Sequence, residues 1–132
     1  MNKLIVFLLL MVSINAQAKD YSDAQVLRAF SFVESRHRVQ IVGDNGLAWG
    51  KFQFHKARYT ELGGKNWGAA DEIEQNRVML KEVGIVRRLL LKDKYKNVEF
   101  ITALATYHNL GHIENKETKY VKKIKSALDF GK

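Results

Sequence analysis

The chain has 132 residues, 46% of them hydrophobic and 27% charged, which is room for one domain around one core. It contains neither cysteine nor proline; this excludes disulfides, thiol catalysis and cysteine metal sites and removes the strongest helix breaker. The formal net charge of +8 favours polyanionic partners through long-range attraction.

Residues 1–18 differ from the rest. Lys3 is their only charge, Leu4 to Val12 is an uninterrupted apolar run, and Ala16-Gln17-Ala18 forms a small-x-small exit. That layout predicts a secretory signal peptide cleaved near Ala18, because the apolar run falls short of the ~20 residues that span a bilayer. The competing reading is an uncleaved N-terminal anchor. With cleavage, residues 19–132 form a single domain exported to the periplasm or cell envelope. Nucleic acid is then not an expected partner, and the polyanions within reach are wall polymers, wall peptides and lipid head groups.

In chain order, Ser22-Asp23-Ala24-Gln25 has the form of a capping box. It opens a helix that places Val26, Leu27, Phe30 and Val33 on one face and ends between Ser35 and Arg38. Asp44-Asn45-Gly46 between Val39–Gly43 and Leu47–Phe54 predicts a hairpin, with an irregular loop as the alternative. His55 to Leu62 reads as a short helix stopped by Gly63-Gly64. Asp71 caps a long helix through Leu91, with Ile73, Val78, Leu80, Val83, Val86, Leu89 and Leu90 as its apolar contacts and Gly84 as a kink or a close approach. Asn97 to Asn109 forms a more apolar, central helix. A last helix begins near Thr118 and carries a Val121, Ile124, Leu128 stripe. The fold class is α+β, mainly helical, with a small hairpin beside the first helix.

Glu34 is the first candidate for chemistry. It falls four residues after Phe30 and seven after Leu27, on the apolar side of its helix, where a carboxylate is out of place unless paired or used. It also lies in the last turn, where the helix dipole disfavours negative charge. Both effects favour the neutral acid, the form that protonates a glycosidic oxygen. The plainer alternative is a surface glutamate paired with Arg36 or Arg38.

Glu34-Ser35 is followed by Val42-Gly43-Asp44-Asn45-Gly46-Leu47-Ala48-Trp49-Gly50-Lys51-Phe52-Gln53-Phe54, and later by Ala103-Leu104-Ala105-Thr106-Tyr107-His108-Asn109-Leu110-Gly111. This order resembles the lysozyme-like lytic transglycosylases, the group of soluble lytic transglycosylases and goose-type lysozyme, from about Ala24 to about Gly111. The resemblance implies a lysozyme-like fold acting on peptidoglycan glycan strands without a cofactor. It implies that Glu34 is acid and then base, that Ser35 supports the substrate or Glu34, that Gln53 binds sugar groups in the cleft, and that Asn109 holds a sugar or neighbouring backbone. His108 stands where the family has a tyrosine that approaches the catalytic carboxyl, with Tyr107 one position earlier. Either ring is the expected partner of Glu34, and a satisfied core histidine is the alternative for His108.

Glycosidases usually use two carboxylates. The resemblance implies one: the muramic N-acetyl group stabilises the cation, and the sugar's own 6-hydroxyl attacks to leave a 1,6-anhydromuramic end. Asp44 is the candidate for a second carboxylate, which would make the chain an inverting muramidase; its competing role is that of an ordinary turn residue. His108 and His112 share the spacing of zinc ligands, but no third ligand is evident and no metal is expected. Trp49, Trp67 and Tyr59 are either sugar platforms or core. Lys119, Lys122, Lys123 and Lys125 make the last helix basic, as a solvated face or as a patch for an anionic wall or membrane surface. By analogy alone, the partner is a secretion, conjugation or phage-entry apparatus. A non-catalytic wall-binding module and a structural envelope component are the readings from other classes.

Overall fold

A computed structural model describes residues 21–130. The expected leader, its cleavage site near Ala18 and the start of the mature chain lie outside the described residues. Among the described residues five α-helices and three very short strands follow one another: α1 (Asp23–Ser35), β1 (Val42–Gly43), β2 (Ala48–Trp49), β3 (Phe54–His55), α2 (Lys56–Glu61), α3 (Glu72–Leu89), α4 (Phe100–Leu110) and α5 (Lys119–Phe130). The protein is mainly helical with a small antiparallel sheet, an α+β arrangement.

Local sequence sets the helix boundaries. Ser22 Oγ accepts from the Gln25 backbone N–H at 3.2 Å while Gln25 Oε1 accepts from the Ser22 N–H at 2.8 Å, so the capping box satisfies two donors that the first turn leaves open. Asp71 accepts from Glu74 N at 2.9 Å and opens α3. Thr118 Oγ1 accepts from Val121 N at 3.1 Å at the start of α5. At its C-terminus α1 leaves the helical region through Arg36 and His37, both left-handed at φ 52 and 67. Gly111, at φ 84, ends α4.

The core lies between α1, α3, α4 and α5. Phe30, Val78, Val86, Leu104, Val121 and Ile124 are fully buried in it, and Ile101 to Thr106 are all buried, so α4 is the central helix. Two expectations for α3 are corrected. Ile73 is 79% exposed, because it lies in the first turn, ahead of the stretch that meets the core. Gly84 is neither a kink nor a close approach: the helix runs through it, and a Cβ there would meet nothing within 4 Å.

The hairpin becomes three strands. β1 pairs β2 (Val42 with Trp49, Gly43 with Ala48), and β2 pairs β3 (Ala48 with His55, Trp49 with Phe54). Strands of two residues supply too few ladder bonds to hold themselves. Side chains do that work instead. Buried Gln75 on α3 accepts from Lys51 N at 2.6 Å and donates to Val39 O and Ala70 O, both at 3.0 Å. Gly50 is required beside it: its φ is +89, and a Cβ there would stand 2.5 Å from Gln75 Oε1. Lys51 Nζ reaches Glu72 Oε1 at 2.7 Å, and that ammonium holds the Glu72 carboxyl below its usual range.

Candidate active site

A cleft of about 500 Å³ opens where the sheet meets the ends of α1 and α4. Glu34 from the last turn of α1 stands on one wall, and Tyr107, His108 and Asn109 from the end of α4 on the other. Gln53 and Phe54, Asp44 of the turn after β1, His55 of β3 and Arg58 of α2 also line it. Glu34, Asp44, Gln53, Tyr107, His108 and Asn109 are therefore brought together from sequence positions as much as 75 residues apart.

Glu34 is half-buried, and it does not pair with either nearby arginine. Arg38 Nε donates to Ser35 O at 2.8 Å, and the Arg36 guanidinium sits over the Phe32 ring. The carboxylate is held instead from α5: Tyr120 Oη donates to Glu34 Oε1 at 2.5 Å. Among the described residues no hydrogen bond falls on Oε2, which leaves that oxygen for the cleft. Burial first, then the charge of Glu34, the bond to it and the charge of Glu82, push the Tyr120 phenol well above its ordinary value. Tyr120 therefore stays a hydroxyl donor.

Neither Tyr107 nor His108 hydrogen-bonds Glu34, which corrects the expectation that one of them would. The helix turns Tyr107 toward Arg58, whose guanidinium stacks 4.8 Å above its ring. His108 turns inward. Its Nε2 lies 2.9 Å from Phe52 O and its Nδ1 2.5 Å from Glu82 Oε2, with side chains only 4% and 1% exposed. A carbonyl can only accept, so Nε2 carries a proton. With Nδ1 against a carboxylate, the ring is an imidazolium. Burial alone would lower its pKa, but the charge and hydrogen bond of Glu82, the charge of Glu34 and the Phe52 carbonyl together raise it to about 9. Arg58 completes the cluster with Nε 3.5 Å from Glu82 Oε1. His108 is thus both a satisfied buried histidine and part of the cleft wall.

Ser35 is not in the cleft. It is 2% exposed, and its hydroxyl donates to Ser31 O at 3.1 Å and Lys51 O at 2.8 Å. It ties α1 to the turn between β2 and β3 and touches neither Glu34 nor the space for a substrate. Gln53 lines the cleft, but its Nε2 is used within the sheet, donating to Gly50 O at 2.8 Å and Ile41 O at 3.2 Å. A Cβ on Gly43 would stand 2.1 Å from its Oε1, so Gly43 makes room for this amide. Asp44 is both a turn residue and a rim residue: it adopts φ 52, accepts from Leu47 N through its carbonyl, and pairs with His55 Nε2 at 2.8 Å. Asn109 is exposed at the cleft edge.

Trp49 and Tyr59 are buried, at 7% and 1% exposure, and serve as core rather than platforms. Trp67 donates from Nε1 to Phe54 O at 2.9 Å. His112 pairs with Glu114 at 2.9 Å, so the two histidines spaced like zinc ligands face different partners. Among the described residues no group of three or more metal-binding side chains is gathered.

Glu82 and Tyr120 were missed from the sequence, although each left a signal. Glu82 is four residues from both Val78 and Val86, in the middle of the buried face of α3. Tyr120 shares its helix face with Ile124. Comparison with protein families, characterised proteins and solved structures returns no match for this chain.

Proposed function

We propose that this chain is a peptidoglycan lytic transglycosylase with a lysozyme-like fold, in which Glu34 is the catalytic acid and base. The observation that carries this is the state of Glu34: a half-buried carboxyl at a helix end, fixed through Oε1 by Tyr120, with Oε2 left to an open cleft. The Tyr120 hydroxyl fixes one oxygen of the carboxyl, and the other can give a proton to a substrate oxygen and take one back.

In this reading Glu34 protonates the oxygen between muramic acid and glucosamine, so that the glycosidic bond breaks and the leaving sugar departs with a hydroxyl. The muramic N-acetyl oxygen stabilises the cation at C1. The Glu34 carboxylate then takes the proton of the 6-hydroxyl as that oxygen bonds to C1. The product is a 1,6-anhydromuramic end, and no water is consumed. Glycan strands of the wall are the partner; export to the envelope and service to a secretion, conjugation or phage-entry apparatus belong to the same proposal.

The second reading is an inverting muramidase, favoured by the presence of Asp44 on the rim of the same cleft. It would use Asp44 to activate water, which requires release from His55. A zymogram on peptidoglycan tests both against a binding module: clearing lost in Glu34→Gln supports an enzyme, whereas binding without clearing, unchanged by that substitution, removes the catalytic proposal.

A further inference from the structure

α1 and α5 pack side by side, and on the face away from the cleft they leave a groove of about 440 Å³ bounded by Phe32, Val33, Arg36, Lys122, Lys123 and Phe130. It shares no lining residue with the cleft. Phe130 is 91% exposed and Phe32 47%, so two large apolar side chains lie open beside three cations. Among the described residues no acidic side chain lines the groove. On the same helix Lys125 is occupied by Glu99 and Glu117, at 3.1 and 3.3 Å. Among the described residues Arg36, Lys122 and Lys123 have no ion-pair partner.

We propose that this groove is a peripheral docking surface for an anionic phospholipid bilayer, with Phe32 and Phe130 entering the boundary between head groups and acyl chains and Arg36, Lys122 and Lys123 pairing with lipid phosphates. Aromatic side chains flanked by unpaired Lys and Arg are what such an interface selects. No described helix is long and apolar enough to cross a membrane. A second copy of the chain fits poorly, because a two-fold interface would set three cations against three. An acidic amphipathic helix would need a row of apolar anchor sites at helical spacing, and the groove offers two exposed aromatics. The basic surface thereby differs from the four lysines of α5: it excludes Lys119 and Lys125 and adds Arg36 and two phenylalanines from two helices. Nothing in this proposal rests on the chemistry of the cleft.

The test is co-sedimentation of the full chain with vesicles of phosphatidylcholine alone or doped with phosphatidylglycerol. Every variant keeps the same first twenty residues, so differences report the groove. Phosphatidylglycerol should strengthen binding. The triple change Arg36→Gln, Lys122→Gln, Lys123→Gln should weaken it about 100-fold, at ~1 kcal/mol for each cation near an anionic surface. Phe130→Ser should weaken it about tenfold or more, while Lys125→Gln, on the paired face, should leave it nearly unchanged. Circular dichroism melts check that all fold alike. Equal binding of the triple variant and the parent, or no preference for phosphatidylglycerol, would overturn the proposal. Self-association lost in Phe130→Ser, without lipid preference, would overturn it by assigning the groove to a second copy.

Discussion

Two glutamates on the core side of their helices sit near the cleft, and they are treated in opposite ways. Glu82, in the middle of α3, is 1% exposed and enclosed by charge: His108 at 2.5 Å on one oxygen and Arg58 at 3.5 Å on the other. Glu34, at the end of α1, is half-buried and held by a neutral hydroxyl on one oxygen only. A carboxylate with both oxygens engaged by cations braces the wall of a site. A carboxylate with one oxygen fixed and one open keeps a defined position and a free reactive atom. The difference is why Glu34 is the residue proposed for chemistry and Glu82 the one proposed for support.

Substitutions at the two positions should fail in different ways. Glu34→Gln is expected to lower turnover on peptidoglycan by about 100- to 10,000-fold, the range for loss of a general acid, with an unchanged thermal melt; a comparable rate in both proteins would place the chemistry elsewhere. Glu82→Ala should instead unfold the wall. It leaves a buried imidazolium without its counter-ion and should cost about 3–5 kcal/mol, a fall in Tm of more than ~10 °C in a domain of this size. A melt within a few degrees of the parent would show that the pair does not brace the fold.

The His108–Glu82 pair also gives a pH signature. His108 is raised from 6.5 to about 9, so its contribution to stability is fully present below pH 6.5 and is lost as pH rises through 9. The loss is about 3 kcal/mol. Denaturant titrations across that window should show stability falling in the parent, and the slope should be absent from His108→Gln. Smaller still is the expected effect of Tyr120→Phe, which removes one hydrogen bond to a carboxylate and should reduce turnover about 10- to 100-fold without changing the fold. Asp44→Asn should have the least effect, a few-fold at most, if no second carboxylate is used. A loss as deep as that of Glu34→Gln would favour the inverting muramidase.

The sequence carried local features well. The Ser22–Gln25 capping box, the Asp71 cap and the Val121, Ile124, Leu128 stripe are signals within one or two turns, and the helices they mark are present. The apolar side occupied by Glu34 was legible for the same reason, whereas Gln53, Tyr107, His108 and Asn109 became candidates through the family resemblance and Asp44 as the nearby carboxylate of the predicted hairpin. Contacts set by packing were not legible. Tyr120 meets Glu34 across 86 residues of chain, which no periodicity reports. Ser35 reads as a site residue through the Glu34-Ser35 motif of the resemblance, yet one residue along a helix is a rotation of about 100°, enough to turn it from the cleft to the core. The third strand escaped because two-residue strands have no alternation to detect; Gln75, Gln53 and Ser35 hold them from outside.

Digestion of purified peptidoglycan, with the products separated and weighed by mass spectrometry, tests the role of Glu34 most directly. The expected products are muropeptides ending in 1,6-anhydromuramic acid from the parent chain and none from Glu34→Gln. Ordinary reducing ends from the parent, or anhydro ends in equal yield from the variant, would contradict a transglycosylase with Glu34 as its acid and base.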